Sequence, residues 1–201
     1  MYRKDRKEEY YTRRAHEEGY PARSVYKLKE IDEKYRLFKK GDRVLDLGCA
    51  PGSWLLYISQ RIGPKGLVIG IDLEPAKIKL AANSHWLVGD ILELAAKEIE
   101  GLGKFETLVS DVAPYTTGMR SVDAGRSLEL AERSFEIANM VLAPAGNFLC
   151  KIFESQDSSE FIKTLETRFE FIKKFRPKAV FKTSPEFYLI AKGFKPEALP
   201  K

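Results

Sequence analysis

Val44-Leu45-Asp46-Leu47-Gly48-Cys49-Ala50-Pro51-Gly52-Ser53-Trp54 is the stretch that decides the fold. It opens as a short apolar run, the pattern of a strand buried on both faces. It turns through Gly48 and Gly52, and Trp54-Leu55-Leu56-Tyr57-Ile58 follows with helical spacing. Strand, glycine-rich turn and helix make the first unit of a nucleotide-binding α/β sheet. Gly48 and Gly52 lack Cβ, so the backbone can turn sharply and lie close to a ligand. A second run, Gly66-Leu67-Val68-Ile69-Gly70-Ile71-Asp72, reads as the next strand and ends in a carboxylate. Asp72 follows Gly52 by 20 residues. That is about the interval at which an acid on the second strand accepts hydrogen bonds from ribose hydroxyls.

A glycine-rich turn alone is often only a tight connection; the acid at the second strand end gives it meaning. The turn departs from the dinucleotide fingerprint, because Gly-Cys-Ala-Pro-Gly-Ser has no full G-x-G-x-x-G. A pyrophosphate needs free N–H groups at the helix start, and Pro51 removes one of them. The turn therefore favours an uncharged or cationic nucleoside such as S-adenosylmethionine over NAD.

Further along, the same β-α unit recurs. Ser24 is placed to cap a helix reaching Phe38, with Leu28, Ile31, Tyr35 and Phe38 on its apolar face and Lys27 on the flank of that face. Pro75 to Ala82 reads as a helix, Ser84 to Asp90 as a third strand with its own terminal acid, and Ile91 to Ile99 as a helix. Phe105 to Asp111 is a fourth strand, 115–121 a polar loop, and Val122 to Leu142 a long amphipathic helix. Gly146 to Phe153 is a fifth strand with Lys151 inside it. A helix over 158–168, a strand from Phe169 to Phe175, a basic loop over 176–185 and a strand from Glu186 to Ala191 complete the chain. The expectation is an α/β, Rossmann-like sheet of seven strands, mostly parallel with right-handed crossovers. Helices cover both faces and the last strand is antiparallel.

The 201 residues fit a single domain, with 1–20 as a basic N-terminal extension. With 44% apolar and 31% charged residues the composition is that of an ordinary soluble protein. No apolar run approaches the roughly 20 residues of a membrane helix, and the charged, aromatic N-terminus has no signal-peptide core. A cytoplasmic protein is expected. No seam for self-association is visible, so a monomer is expected. Cys49 and Cys150 read as buried thiols, and the isolated His16 and His85 suggest no metal cluster.

The net charge of +5 is unevenly spread. Residues 1–40 carry 13 Lys/Arg against 8 Asp/Glu, whereas the remainder carries 21 of each. Arg168 to Lys182 adds a second basic stretch of six cations and one acid. Two basic segments on a neutral body suit a polyanion. Tyr10, Tyr11 and Tyr20, interleaved with Arg13, Arg14 and His16, suit RNA, where phosphates attract and exposed bases stack. A solvated surface and a frayed terminus are the plainer readings of the same residues.

Ligands of an open α/β sheet bind beyond the carboxyl ends of its strands. Gly52, Asp72, Asp90 and Asp111 all fall at such ends, on four elements that converge on one rim. Their negative charge suits a sulfonium. Lys151 interrupts an apolar strand, and a buried lysine is rare unless paired. Asp111, ending the adjacent strand, and Glu186, starting the terminal one, are available partners, with Lys27 as a second cation. Two lysines and two carboxylates at one point make a site for controlled proton transfer.

The set Lys27, Asp111, Lys151 and Glu186 resembles the Lys-Asp-Lys-Glu tetrad of the FtsJ/RrmJ family of RNA ribose 2′-O-methyltransferases. The segments Gly19 to Leu28, Leu45 to Trp54, Ser110-Asp111-Val112-Ala113-Pro114 and Ser184-Pro185-Glu186-Phe187-Tyr188 resemble that family's motifs in order, over nearly the whole chain. Ser53 departs from it, standing where a second glycine is usual, and is expected to reshape the methionine end of the pocket. The resemblance implies that Gly52 and Trp54 line the methionine side, Asp72 holds the ribose hydroxyls and Asp90 the adenine amino group. It implies that Asp111 sits between cofactor and catalytic lysine, and that Lys151 is the general base, oriented by Lys27 and Glu186. A free lysine titrates near ~10.4. Acting as a base at neutral pH would require desolvation and Lys27 to outweigh the acids; otherwise Lys151 steers and stabilises an alkoxide. The length resembles members that modify a uridine of large-subunit ribosomal RNA, with transfer-RNA and cap enzymes as the alternative. An NAD-dependent dehydrogenase and a non-enzymatic RNA-binding protein are the readings from other classes.

Overall fold

The computed structural model describes residues 3–181 and 183–196, with the side chains of 3–8 excluded. The cations of Arg3-Lys4-Asp5-Arg6-Lys7 and Lys182, counted above in the basic segments, therefore lie outside the described side chains.

The first strand, β1 (Arg43–Leu47), is at the centre of the molecule, with Val44, Leu45, Asp46 and Leu47 all buried. Burial of consecutive residues means both faces are covered, as the continuous apolar run requires. It pairs in parallel with β2 (Leu67–Asp72) on one side and β4 (Phe105–Ser110) on the other. Next outward come β3 (Ser84–Val88), beside β2, and β5 (Leu142–Phe153), beside β4, both parallel. The last strand, β7 (Glu186–Phe194), lies between β5 and β6 (Phe169–Phe175) and is antiparallel to both. The order is β3-β2-β1-β4-β5-β7-β6. This is the expected seven-stranded sheet, with the antiparallel strand inserted rather than at the edge.

Two apolar clusters lie on opposite faces. One contains residues of α4 (Ala96–Gly101), α5 (Arg120–Val141) and α6 (Ser158–Arg168). The other contains residues of α1 (Arg3–Glu17), α2 (Val25–Tyr35) and α3 (Ser53–Ile62). Asp32 joins α2 to α3. Its Oδ1 accepts from the N–H groups of Leu37 and Phe38 beyond the helix end, and its Oδ2 from the Tyr57 hydroxyl and Arg61 Nε. A buried carboxylate is tolerated there because four donors replace its water.

Several sequence expectations differ from the structure: Ser24 stands at the start of α2 without a side-chain cap hydrogen bond, and that helix ends at Tyr35 rather than Phe38. No helix forms over 75–82, where most side chains are exposed and Ile78 and Leu80 are the apolar residues packed on the core. A segment that short cannot hold a helix without a face to bury. The helix expected at 91–99 begins later, at Ala96. Asp90 Oδ1 accepts the Leu92 N–H, bending the chain first, and Glu98 then accepts the Ala95 N–H at the helix start. The N-terminal segment, read without periodicity, contains α1. Arg13–Glu17 and Arg14–Glu18 pair at i,i+4, and Ala15 is fully buried. Tyr20, expected among base-stacking aromatics, is buried and donates to Gln60 Oε1 at 2.9 Å. Tyr11 stands against Tyr26 with ring centroids 5.3 Å apart. His16 Nε2 is 3.3 Å from the Pro21 carbonyl, closing the turn after α1.

Candidate active site

The chain moves outward from β1 through β2 to β3, then returns to β4 on the far side of β1. That reversal opens a crevice at the carboxyl ends of β1 and β4, the usual ligand position in such sheets. A cavity of about 610 Å³ occupies it, lined by Gly48, Asp72, Asp90, Asp111, Tyr115 and Arg126 among others. Gly48 has φ +73, and a Cβ there would lie 2.8 Å from Val112 Cγ2 and 3.0 Å from the Val112 backbone. Only glycine lets the loops after β1 and β4 close on each other at this point.

Asp72 ends β2, with Oδ2 accepting the Ala50 N–H at 2.8 Å and Oδ1 the Glu74 N–H at 2.9 Å. The carboxylate thereby holds the glycine-rich turn in place. Asp90 uses Oδ1 for Leu92 and lines the same cavity. Gly52 and Trp54 do not line it. Gly52 has φ +108, and a Cβ there would meet Ile78 Cδ1 at 2.3 Å. Trp54 is buried, donates Nε1 to the Ser24 carbonyl at 3.0 Å and packs against Tyr188 with centroids 6.0 Å apart. Ser53 likewise points elsewhere: its hydroxyl accepts the Ala22 N–H and donates to the Ala22 carbonyl, tying the segment before α2 to α3. These three residues shape the turn and its attachment rather than the cavity wall.

Asp111 follows β4 directly and opens onto the cavity. Lys151 lies on the adjacent β5, 8% exposed, with Nζ 3.0 Å from Asp111 Oδ1; Nζ also donates to the Asp111 carbonyl. Directly across the β5–β7 ladder from Lys151 is Tyr188, fully buried, whose hydroxyl donates to Asp111 Oδ1 at 2.8 Å. Lys27 comes from α2 and pairs with Glu186 at 2.6 Å, both side chains largely covered. Lys27 Nζ is 5.9 Å from the centre of the Tyr188 ring. The four residues expected from sequence are thus brought together as two ion pairs with Tyr188 between them. Sequence reasoning missed Tyr188, although the signal was present: it lies two residues after Glu186 and so on the same face of the strand.

Burial acts to raise the Asp111 carboxyl, but Lys151, Lys27 and the Tyr188 hydroxyl together hold it below the usual carboxylate range. The same environment drives the Tyr188 phenol well up, through burial first and then the Asp111 and Glu186 charges. Asp111 is therefore an anion and Tyr188 a neutral donor. Asp46, in the middle of β1, is fully buried, and neither carboxylate oxygen has a partner among the described residues. Burial, then the charges of Asp111 and Asp72, push it far up and favour its neutral form.

An acid-rimmed cavity at the switch point of a seven-stranded sheet with an inserted antiparallel strand defines the S-adenosylmethionine-dependent methyltransferase class. Over residues 20–194 the sequence matches the model of the FtsJ-like methyltransferases, and the chain belongs to that family. It is 44% identical over 188 residues to the ribosomal RNA large subunit methyltransferase E of Desulforapulum autotrophicum, covering 93% of each chain. A crystal structure described as a ribosomal RNA methyltransferase from Plasmodium falciparum superposes with TM-score 0.76 at 28% identity, covering 87% of this chain and 98% of the other. Fibrillarin from Aeropyrum pernix, solved with S-adenosyl-L-methionine, shares the fold at TM-score 0.53 and 21% identity, covering 76% and 67%.

Proposed function

We propose that the chain transfers a methyl group from S-adenosylmethionine to a ribose 2′-hydroxyl of large-subunit ribosomal RNA, at a uridine. The observation that carries this reading is the contact of Lys151 with Asp111, which lines the cavity, backed by the Lys27–Glu186 pair. The names of the relatives support ribosomal RNA as the substrate over transfer RNA or a cap. The single domain, with residues 1–20 as its basic extension, acts as a monomer in the cytoplasm in this reading. Among the described residues no helix is long and apolar enough to cross a membrane.

The cavity fits the cofactor. Its size is within the ~300–1,000 Å³ of small-molecule sites. Asp72, Asp90 and Asp111 put negative charge around a place for a sulfonium, and the Gly48 approach leaves backbone facing the ligand. Asp72 would hold ribose hydroxyls and Asp90 the adenine amino group, with Gly48 and Ala50 along the turn. When bound, the cofactor supplies an electrophilic methyl group on a cationic sulfur.

The chain's own part is to position the 2′-oxygen and deal with its proton. Asp111 fixes Lys151 Nζ through its side chain and its carbonyl, leaving the remaining valence of nitrogen for the ribose oxygen. Lys151, once its ammonium has given up a proton to solvent, accepts the hydroxyl proton as a neutral amine, leaving the 2′-oxygen as nucleophile for the methyl group that the bound cofactor would release from its sulfur. Tyr188 keeps Asp111 from turning away, and Glu186 holds Lys27 where its charge reaches Asp111 and the incoming oxygen. Placement of this kind supplies much of the rate of a transfer between two bound groups.

The test is tritium transfer from labelled S-adenosylmethionine into large-subunit RNA stripped of its ribose methyls, followed by mapping of the modified nucleotide. Incorporation at one ribose 2′-oxygen is expected. Label on a base, or in transfer RNA alone, overturns the reading.

A further inference from the structure

Immediately after Asp111 the chain runs Val112-Ala113-Pro114-Tyr115, and Tyr115 lines the same cavity while remaining 88% exposed. It has exposed apolar company in Met119 at 63% and Val122 at 37%. An aromatic ring standing in solvent at a cavity mouth offers its face to a ligand.

The loop that carries them is built rather than slack. Asp123, in the first turn of α5, accepts from the Thr117 N–H at 2.7 Å, the Thr117 hydroxyl at 2.9 Å and the Gly118 N–H at 3.1 Å. The Met119 N–H donates to the Thr117 hydroxyl. Gly118 takes φ +85, which the turn requires. A loop pinned from within holds Tyr115 and Met119 outward at low entropic cost. Arg120 and Arg126 are exposed on the same stretch, and Arg126 lines the cavity beside Tyr115.

We propose that Tyr115 is a stacking platform for an unpaired base of the RNA strand that enters the active site, with Arg120 and Arg126 meeting its phosphates. The inference rests on the RNA methyl-transfer reading above and adds a residue that fixes the substrate. An exposed aromatic face beside cations is the surface that receives an unpaired base. Tyr115 is four residues beyond Asp111 and lines the same cavity, so at most ~14 Å of chain separates the two.

The experiment compares Tyr115→Ala and Tyr115→Phe in steady-state methylation of ribosomal RNA, with cofactor affinity measured by calorimetry. Tyr115→Ala is expected to raise the KM for RNA roughly tenfold or more, with a smaller change in cofactor Kd because the side chain also lines the cofactor cavity. Tyr115→Phe keeps the ring and is expected to match the wild type. An unchanged KM in Tyr115→Ala, a loss confined to cofactor affinity, or equal damage in Tyr115→Phe overturns the platform. A wild-type chain that methylates no RNA overturns the functional reading along with it, whereas the other failures leave that reading standing.

Discussion

The Tyr188 hydroxyl and Lys151 Nζ meet on the same oxygen, Asp111 Oδ1, at 2.8 Å and 3.0 Å. Removing the hydroxyl leaves the ring in place and takes one donor from a buried anion. A hydrogen bond to a charged group contributes about 1.5–3 kcal/mol. Tyr188→Phe is expected to lower Tm by about 5 °C and to depress kcat while leaving cofactor affinity intact. The pH dependence follows from sign: a carboxyl held below 3.8 gives stability that is present above that pH and lost as pH falls through the depressed value. In Tyr188→Phe the carboxyl is less depressed, so this contribution is smaller and is fully lost at a higher pH. An acid titration followed by circular dichroism measures it, and superimposable curves would remove Tyr188 from the network.

Lys151→Ala should lose methyl transfer by roughly 100-fold or more and still bind S-adenosylmethionine. Lys151→Arg separates the two roles open to an amine. A guanidinium keeps the charge but cannot accept a proton near neutral pH. Single-turnover rates in both variants are expected to stay low. Recovery in Lys151→Arg would reassign the residue to charge stabilisation of the alkoxide.

The Lys27–Glu186 contact at 2.6 Å is largely covered, so removing one member leaves the other poorly solvated. Lys27→Met and Glu186→Gln should each destabilise the fold, and the double variant should cost less than their sum. A double-mutant cycle in urea is expected to return a coupling of about 1–3 kcal/mol. Turnover should stay low in all three proteins, since restored stability does not restore the charge near Asp111.

Asp46 makes a prediction of opposite sign. Its carboxyl is raised, so its ionisation opposes folding: that penalty is absent below about 3.8 and grows as pH rises toward the elevated value. Asp46→Asn cannot ionise, keeps the shape and breaks no hydrogen bond seen among the described residues. Without ligand, its Tm at pH 8 should equal or exceed that of the wild type, while the two agree near pH 4. A fall of several degrees at pH 8 would mean that the carboxylate has a partner.

The glycine-rich turn, the strand-end acids and the lysine inside β5 were readable because each breaks a local pattern. An apolar run shows its polar interruption plainly, and Lys151 and Asp111 meet as that pattern implied. Tyr188 carries no such contrast, since tyrosine is at home in a strand; only its register opposite Lys151 gives it a role. Helix 75–82 failed because Pro75 and alanines fix propensity but not burial, and burial decides a short helix. Trp54 and Ser53 were assigned to the cavity because the motif adjoins it. The first turn of α3 rotates them toward Tyr188 and Ala22 instead, an orientation that linear spacing does not encode.

Insertion of β7 between β5 and β6 has a consequence for biosynthesis. Asp72, Asp90 and Asp111 precede β5 in the chain, whereas Tyr188 and Glu186 arrive only with β7. A nascent polypeptide stalled before that strand could fold a nucleoside pocket yet lack the groups that steady Asp111 and Lys27. Competence to modify a substrate is thereby withheld until β7 has been made and has paired beside β5.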